Sequence, residues 1–421
     1  MNRITRALSV RLLLVGPVLL LMAALAGCGS SSHSSTTTAS NPGSTGTSAG
    51  SAAPPSSGSS GSSSGTGTTS GSGSSGTSSG SGSSGGTSGG SSGGSSSGGS
   101  ASATPRFVYA LDTAAPTLEI VSYAMDANTG VLTQSGTTPV PAYTTTLAAT
   151  PKTGCVFVGD WNPTKEILTF RADPASGVLT QGSTLATPNL QYAATMLVTP
   201  NNQTLYVTDA DNSDVWAFSI ASDCSLSVVA GSPFSTSQIG ATYLTADNSG
   251  HLLFVSGANN AVYGFTINGD GSLTPTAGSP TTVRPPTNSP GKGPQGVMAE
   301  LDPDGRFLYV LDQFNAVVYV YTVNGTGALT TVPGSPFADG GVYARVLAAT
   351  TKFAFAPDAT VAALDVNQSS GALTPAPGSP FDNGPSRSGG SPVQDAKVDA
   401  AGRFLLLADW DTGKISVFSI D

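Results

Sequence analysis

From residue 106 to the end of the chain, short apolar segments alternate with polar turns in a unit that recurs seven times. Each unit has a short apolar strand, a polar turn and a second strand in which apolar and polar positions alternate. The first strands begin near Phe107, Cys155, Thr204, Leu252, Phe307, Phe353 and Phe404, at spacings of 48, 49, 48, 55, 46 and 51 residues. A repeat of about 40–50 residues with several strands is typical of a β-propeller, in which each repeat forms one blade. The pattern therefore predicts an all-β fold, a seven-bladed β-propeller over residues 105–421.

The two ends of this repeat region are incomplete. No innermost strand is apparent before Arg106, and no edge strand follows Asp421, so 26 strands are predicted where seven complete blades need 28. Residues 100–105 are a candidate for a further strand at this junction. Four units close with the sequence Gly-Ser-Pro, followed in three of them by Phe. We interpret the proline as the end of strand pairing and the phenylalanine as filling the gap between blades.

The first 28 residues have the features of a targeting segment. Three arginines precede an apolar stretch that is shorter than the roughly 20 residues of a membrane span, which predicts a signal peptide over residues 1–27. The sequence Leu25-Ala26-Gly27-Cys28 resembles the lipobox of bacterial lipoproteins, which implies lipidation of Cys28. An ordinary signal peptide with a chance cysteine is the alternative. Gly29 after the cysteine favours the outer membrane, so we expect an exported, lipid-anchored protein that is periplasmic or surface-exposed.

Residues 28–104 are nearly all Ser, Gly and Thr after the cysteine. Such a segment has almost no apolar side chains to bury and is predicted to be a disordered tether. Removing residues 1–27 removes three arginines and changes the formal charge from −9 to −12. An acidic surface argues against nucleic acid as a partner, because phosphates require a basic stripe. The expected partners are the membrane, through Cys28, and a glycan, small-molecule or protein ligand, and we expect a monomer.

Two cysteines remain besides Cys28. Cys155 opens the second strand of the second blade, and Cys224 lies between the third and fourth strands of the third blade. These places lie at the same end of neighbouring blades, so a disulfide is geometrically plausible in an exported protein. Two separate small apolar residues are the alternative.

Several sequence motifs resemble those of a known protein family. Tyr206-Val-Thr-Asp209 differs by one residue from the Tyr-Val-Thr-Asn motif of surface propeller repeats. Pro303-Asp-Gly-Arg-Phe-Leu-Tyr-Val310 and Gly325-Thr-Gly-Ala-Leu-Thr330 resemble the seven-bladed propeller lactonases, which include 6-phosphogluconolactonase and carboxymuconate-cyclase-like proteins. The resemblance covers residues 106–421. It implies the fold strongly and the activity weakly, because these motifs define blades and not a catalytic site.

The enzymes of that family carry His, Glu and Arg side chains on inner strands at the channel mouth, and this sequence departs from that pattern. Of its two histidines, His33 lies in the tether and His251 is interpreted as a turn residue. No cofactor motif and no metal site are predicted; the Asp209–Asp214 loop has calcium-like spacing but lacks the glycine and distal glutamate of an EF-hand. Glu300, as a base that activates water, and Arg345, as an anchor for an anionic lactone, are the candidate catalytic residues. Structural ion pairing is the alternative.

Aromatic residues are the candidate ligand-binding groups. Aligning the innermost strands places a polar or aromatic side chain at equivalent entrance positions in several blades, and we expect these residues to line the opening: Tyr143, Tyr192, Gln295 and Tyr343, with Tyr243 near the same level. Such rings can stack on a sugar or another flat ligand. They can equally pack the narrow end of each blade.

The leading functional hypothesis from the sequence is a non-catalytic binding or scaffold module at the cell envelope. The alternative is a lactonase-like hydrolase that opens a sugar-derived or carboxylated lactone at the central channel. A structural adhesin that binds through its outer loops is a third class. Whether the protein is an enzyme is left open by the sequence.

Overall fold

The computed structural model describes the strand at residues 4–9 and residues 106–112, 117–160, 164–236, 240–257, 260–283, 298–313, 315–340, 344–384, 393–409 and 413–421. These residues form seven antiparallel sheets, and no helix occurs among them. One compact unit combines residues 1–19 with residues 100–421, and residues 20–99 form a second, which lies outside the described residues. The predicted all-β, seven-bladed propeller is therefore confirmed.

Blades 1, 2 and 7 differ from the others at their first or last strand. Blade 1 has three strands, Arg106–Asp112, Glu119–Met125 and Leu132–Pro139. Blade 2 has four, Thr144–Ala149, Cys155–Asp160, Glu166–Ala172 and Leu179–Ala186. Blade 7 contains Val393–Val398, Phe404–Asp409 and Lys414–Ile420, and Ile4–Ser9 pairs with the last of these. Blade 1 thus lacks an innermost strand among the described residues, as the sequence predicts.

Blades 3 to 6 each have five strands, of which the last two are short. Blade 3 comprises Ala193–Val198, Thr204–Asp209, Asp214–Ile220, Leu226–Val228 and Phe234–Ser235. Blade 4 comprises Ala241–Ala246, Leu252–Gly257, Ala261–Ile267, Leu273–Pro275 and Thr281–Thr282. Blade 5 comprises Met298–Leu301, Phe307–Asp312, Val317–Val323, Leu329–Thr331 and Phe337–Ala338. Blade 6 comprises Ala348–Ala349, Phe353–Pro357, Thr360–Val366, Leu373–Pro375 and Phe381–Asp382.

The Ser-Pro sequences interrupt the outer edge of these four blades without ending its pairing. All four Ser-Pro peptide bonds are cis. In blade 3 the Ser232 hydroxyl accepts a hydrogen bond of 2.9 Å from the Ala217 backbone N–H, and Phe234 then pairs with Val215 of the same third strand. The interpretation that proline ends pairing was wrong, because the ladder resumes at Phe234, the residue that follows Pro233. In blades 1 and 2, which lack this sequence, the edge strand is continuous over eight residues.

The hydrophobic core lies between the blades. In the third strand of blade 3, Trp216 and Phe218 pack towards blade 2, whereas Val215 and Ala217 pack towards blade 4. Both faces of the sheet are thereby removed from water, since strand alternation sends successive side chains to opposite faces. An equivalent apolar cluster joins blades 7 and 1, where Phe404 and Val417 belong to the same core as residues of the first blade. This packing closes the ring.

A turn glycine makes the same inter-blade contact at several junctions. Gly177 of blade 2 has a φ of +71° and lies so close to the Phe107 ring of blade 1 that an added Cβ would be 2.3 Å from the ring. Gly130 of blade 1 has a φ of +70° and lies against the Phe404 ring of blade 7. Both glycines belong to a Gly-Val-Leu sequence, and each supplies both a left-handed turn and a flat surface for the neighbouring ring.

The disulfide replaces this glycine contact between blades 2 and 3. Cys155 and Cys224 are joined by a disulfide, with 5.5 Å between their Cα atoms. Cys224 has a φ of +71°, which is the left-handed conformation of the turn glycines, and Cys155 begins the second strand, where Phe107 begins that of blade 1. A covalent bond thus stands where a glycine and an aromatic ring meet at other junctions. The bond offsets the cost of placing a side chain at positive φ.

We expect ring closure to depend on Gly130. Gly130→Ala would place a methyl group 2.7 Å from the Phe404 ring at a positive φ, so both steric overlap and backbone strain should lower the free energy of unfolding. Gly402→Ala is the matched control, because Gly402 has a φ of +67° and no atom within 4 Å of the added Cβ. Thermal or chemical unfolding should show a loss of about 1–2 kcal/mol for the control and about 1–3 kcal/mol more for Gly130→Ala. Equal losses in the two variants would refute a role for Gly130 in closure.

Candidate functional site in the channel

Polar side chains occupy the inner strands of blades 4 to 7. Tyr243, Glu300 and the pair Asp395 and Lys397 lie on the first strands of blades 4, 5 and 7, and Arg345 precedes the short first strand of blade 6. Elsewhere these strands are mostly small or apolar. The first strands of neighbouring blades contact one another around the centre of the ring, so these groups face a common channel.

The strand register fixes the level of each group along the channel. Glu300 is opposite Tyr309, the third residue of its second strand, and Lys397 is opposite Leu406, the third residue of its own. Glu300 and Lys397 therefore lie at the same level of blades 5 and 7.

Tyr243 and Asp395 share the next level of the channel. They are opposite the fifth residues of their second strands, two residues away from the level of Glu300 and Lys397. Two strand residues span about 7 Å and return to the same face, so these side chains form two adjacent polar layers.

Hydrogen bonds from blade 4 hold the strand that carries Glu300. The backbone N–H of Ala299 donates to the Ser256 hydroxyl at 2.9 Å, and that of Leu301 donates to the Thr245 hydroxyl at 3.0 Å. Both hydroxyls are buried. The residues on either side of Glu300 are thus attached to the neighbouring blade, and the position of its side chain depends on rigid backbone.

The Glu300 carboxyl has a pKa raised to about 7. Desolvation by the surrounding protein is the largest cause, the Lys397 ammonium acts in the opposite direction, and the Asp395 carboxylate raises the pKa further. A carboxyl with a pKa near neutrality can both accept and return a proton at physiological pH. Perturbed groups of this kind are concentrated at functional sites.

Asp395 and Lys397 form an ion pair on the same strand. The Lys397 Nζ is 3.4 Å from Asp395 Oδ1, and the two side chains are 70% and 56% exposed to water. The pKa of Lys397 is nevertheless raised, and the Asp395 carboxylate is the largest cause. Desolvation lowers this pKa, and the Glu300 carboxylate raises it further. The pair therefore lies where water reaches both side chains in part and where the surrounding protein still desolvates the ammonium.

Tyr243 connects this pair with Arg345 and Tyr192. Burial is the main cause of the raised pKa of Tyr243, the Arg345 guanidinium opposes it, and Asp395 and Tyr192 raise the pKa further. The phenol is therefore protonated at neutral pH and available as a hydrogen-bond donor. The Arg345 Nε is buried and has no hydrogen-bond partner among the described residues.

The residues predicted to line the opening lie in different environments in the structure. Tyr192 immediately precedes the inner strand of blade 3 and lies within electrostatic range of Tyr243, as expected for groups near one opening. Tyr143 is 47% exposed in the turn before the inner strand of blade 2. Gln295 and Tyr343 lie outside the described residues. A ring of aromatic groups at the entrance therefore stays a prediction.

Two other sequence candidates have structural explanations. The exposed His251 lies in the turn before the second strand of blade 4, and its backbone N–H donates to Asp247 Oδ1 at 2.8 Å. In the Asp209–Asp214 loop, the Asp209 carboxylate accepts backbone hydrogen bonds from Gln191 and Tyr192. No group of three or more His, Cys, Asp or Glu side chains in the described part of the chain is arranged to hold a metal ion.

The sequence analysis missed the residues that support Glu300. Thr245 and Ser256 are small polar residues in strands of blade 4, and nothing in their spacing indicates a bond to blade 5. Lys397 is two residues after Asp395, which identifies a shared strand face but not the approach of that face to Glu300.

Comparisons with known proteins agree with this fold. Residues 156–342 match the model of the family described as "Lactonase, 7-bladed beta-propeller", a segment of 187 of the 421 residues. The chain has the lactonase-like seven-bladed propeller fold, and the resemblance that the repeats indicated is confirmed. No curated protein matches the sequence.

Solved structures of similar fold include candidate 6-phosphogluconolactonases of Bacteroides uniformis and Bacteroides fragilis. They are 16% and 18% identical, with TM-scores of 0.60 and 0.59; 74% and 75% of this chain and 91% and 90% of those chains are covered. The periplasmic gluconolactonase PpgL of Pseudomonas aeruginosa is 19% identical, with a TM-score of 0.57, and 75% of this chain and 92% of that chain are covered. At these identities the likeness establishes the fold alone.

We expect Glu300→Gln to stabilise the protein at alkaline pH. The folded state raises the Glu300 pKa to about 7 from an ordinary value of 4.5, so the wild type loses stability as the pH rises through this interval. Glutamine resembles the protonated carboxyl and removes this dependence. The melting temperature of Glu300→Gln should exceed that of the wild type by a few degrees at pH 8.5 and equal it at pH 4. Glu166→Gln in blade 2 is the control, and an equal gain in that variant would contradict the assignment.

Proposed function

We propose that this protein is a lactone hydrolase whose site is the polar cluster on the inner strands of blades 4 to 7. The observation that carries the proposal is the Glu300 carboxyl, with a pKa of about 7, held in a channel beside the Lys397 cation. The lactonase family match and the names of the similar structures support this function over the binding or scaffold module that the sequence analysis favoured. A scaffold module does not require a proton-accepting carboxyl inside a rigid channel.

The proposed reaction adds water to the lactone carbonyl. Ionised Glu300 accepts a proton from a water molecule as the water oxygen bonds to the carbonyl carbon. The bond between that carbon and the ring oxygen then breaks, and the ring oxygen takes the proton back from Glu300 and becomes a hydroxyl. The product is the open hydroxy acid, which loses its own proton to solvent. Glu300 is regenerated in each cycle.

Arg345 and Tyr243 are proposed to hold the substrate. Arg345 is the cation of blade 6 in this cluster, and a guanidinium is a suitable donor for an anionic substituent. Tyr243 lies one polar layer away from Glu300 and stays protonated, so it can donate to an oxygen of the lactone. A sugar-derived or carboxylated lactone carries groups of both kinds. Binding through these residues orients the carbonyl towards Glu300.

We expect the protein to hydrolyse lactones from a panel that includes 6-phosphogluconolactone. The rate of spontaneous ring opening is subtracted from the measured rate at each pH. Because only ionised Glu300 accepts a proton, kcat/KM should rise with pH through about 7 and then level off. Glu300→Gln should lose about 10²–10⁴-fold in kcat. Arg345→Ala should raise KM for anionic lactones more than for neutral ones.

The matched control is Lys352→Met, which removes a cation from an exposed turn of blade 6 and should leave the kinetics unchanged. Circular dichroism should verify the fold of every variant. Absence of turnover above the spontaneous rate in the folded wild-type protein would overturn the proposed function. Unchanged kinetics in Glu300→Gln would remove Glu300 from the mechanism.

For the cellular location, we propose export and lipid anchoring through Cys28, which the Leu25-Ala26-Gly27-Cys28 sequence supports. No helix among the described residues is long and apolar enough to cross a membrane. Cleavage before Cys28 would remove the strand Ile4–Ser9, which pairs with Lys414–Ile420 in the full chain. The proposed mature protein therefore has a blade 7 without this outer strand.

Lipidation predicts a specific mass change. The protein isolated from a bacterial host should begin at Cys28 and incorporate labelled palmitate, and Cys28→Ser should incorporate none. Intact mass spectrometry measures the start residue and the added lipid mass, and membrane fractionation measures anchoring. A full-length chain of unmodified mass in a host that processes lipoproteins would refute anchoring through Cys28.

A further inference from the structure

We infer that Asp395 and Lys397 form a positioning pair on blade 7 that controls the ionisation of Glu300 on blade 5. This inference rests on the proposed function, because the ionised carboxylate of Glu300 is the form that activates water. Neither residue is required to contact the substrate. Their role is to keep one cation, in a defined place, at the level of the base.

The register supplies the first argument. Glu300 and Lys397 occupy equivalent positions of blades 5 and 7, opposite the third residues of their second strands. At the same level of the intervening blade 6, Ala348 is opposite Phe355 and contributes only a methyl group. Among the described residues, this methyl group is what blade 6 places at the level of Glu300 and Lys397.

The ion pair supplies the second argument. Lys397 Nζ lies 3.4 Å from Asp395 Oδ1, although its side chain is 70% exposed and has a long flexible stem. The ion pair draws the ammonium towards Asp395, so the positive charge is shared between two carboxylates. Asp395 thus weakens the effect of Lys397 on Glu300 and adds a repulsion of its own.

The other groups around Glu300 cannot take over this role. Arg345 on blade 6 acts electrostatically on Tyr243, one layer away, and Tyr192 and Tyr243 are neutral phenols at physiological pH. Tyr309, opposite Glu300 on the second strand, is also neutral because burial raises its pKa. Lys397 is the cation that acts on Glu300, and Asp395 is the anion that partly cancels its effect.

This arrangement predicts shifts of opposite sign from the two members of one ion pair. Lys397→Met removes the favourable cation, so ionisation of Glu300 should require a higher pH, by about one unit. Asp395→Asn removes a repelling carboxylate and leaves Lys397 free to approach Glu300, so ionisation should require a lower pH. Lys397→Arg keeps the charge and should titrate close to the wild type. A purely structural ion pair would give the same defect in both neutral variants.

Direct titration of the carboxyl tests the inference without turnover. The chain contains three glutamates, Glu119, Glu166 and Glu300, so protein labelled with ¹³C at glutamate Cδ gives three resonances, and Glu300→Gln assigns the relevant one. The midpoint for Glu300 should move up in Lys397→Met, down in Asp395→Asn and remain unchanged in Lys352→Met. Unchanged midpoints in both pair variants, or shifts of the same sign, would overturn the inference.

The pH profile of lactone hydrolysis then links the pair to activity. The rise of kcat/KM with pH should move in the same direction as the Glu300 midpoint in each variant. Opposite shifts of the midpoint without turnover of any lactone would support control of Glu300 by the pair and overturn the proposed function. Turnover whose pH profile does not follow the midpoint would overturn the role of the pair in catalysis.

Discussion

The burial of both faces of every sheet between two neighbours is the constraint on which this structure depends. A single blade of this kind has apolar side chains on both faces and cannot remove them from water alone, so each is stable only as part of the ring. The contact that recurs at the junctions joins a turn glycine of one blade to the residue that begins the second strand of the preceding blade. Between blades 2 and 3 the disulfide occupies this place. Gly130 of blade 1 and Phe404 of blade 7 make the same kind of contact and close the ring. This closure depends on side-chain packing, because blade 1 contains no strand from another part of the chain among the described residues.

Tight packing between blades also explains the properties of the channel. The inner strand of blade 5 is attached to blade 4 by hydrogen bonds that its backbone N–H groups donate to the Ser256 and Thr245 hydroxyls, so Glu300 projects from a fixed backbone. Placing Glu300 there costs stability at alkaline pH, because its carboxylate is desolvated and only partly compensated by Lys397. Proteins retain such costs where a group is needed in an unusual protonation state. This is why Glu300, and not a surface carboxylate, is the centre of the proposed site.

The absence of a suitably placed histidine does not weaken this site. Histidine is the side chain whose ordinary pKa lies near neutrality, so a sequence without a suitably placed histidine is less indicative of an enzyme. The channel brings a carboxyl to the same range by desolvation, opposed by one cation. The fold by itself does not specify an activity, and the solved structures of similar fold are too distant to transfer residue roles. The functional proposal therefore depends on the channel residues of this chain.

The sequence by itself determined the number of blades, the order of the 26 principal strands and the incomplete first blade, because these depend on a local alternation of apolar and polar positions that repeats with a nearly constant period. It did not predict that Ile4–Ser9 pairs with the last strand of blade 7. It also identified Glu300 and Arg345 as candidates, since charged residues are rare on inner strands. The tertiary structure alone decided the bonding of Cys155 to Cys224, the support of Glu300 by Thr245 and Ser256, and the shared level of Glu300 and Lys397. These relations join residues on different blades, and their geometry depends on strand register and ring closure, which no local pattern in the chain encodes.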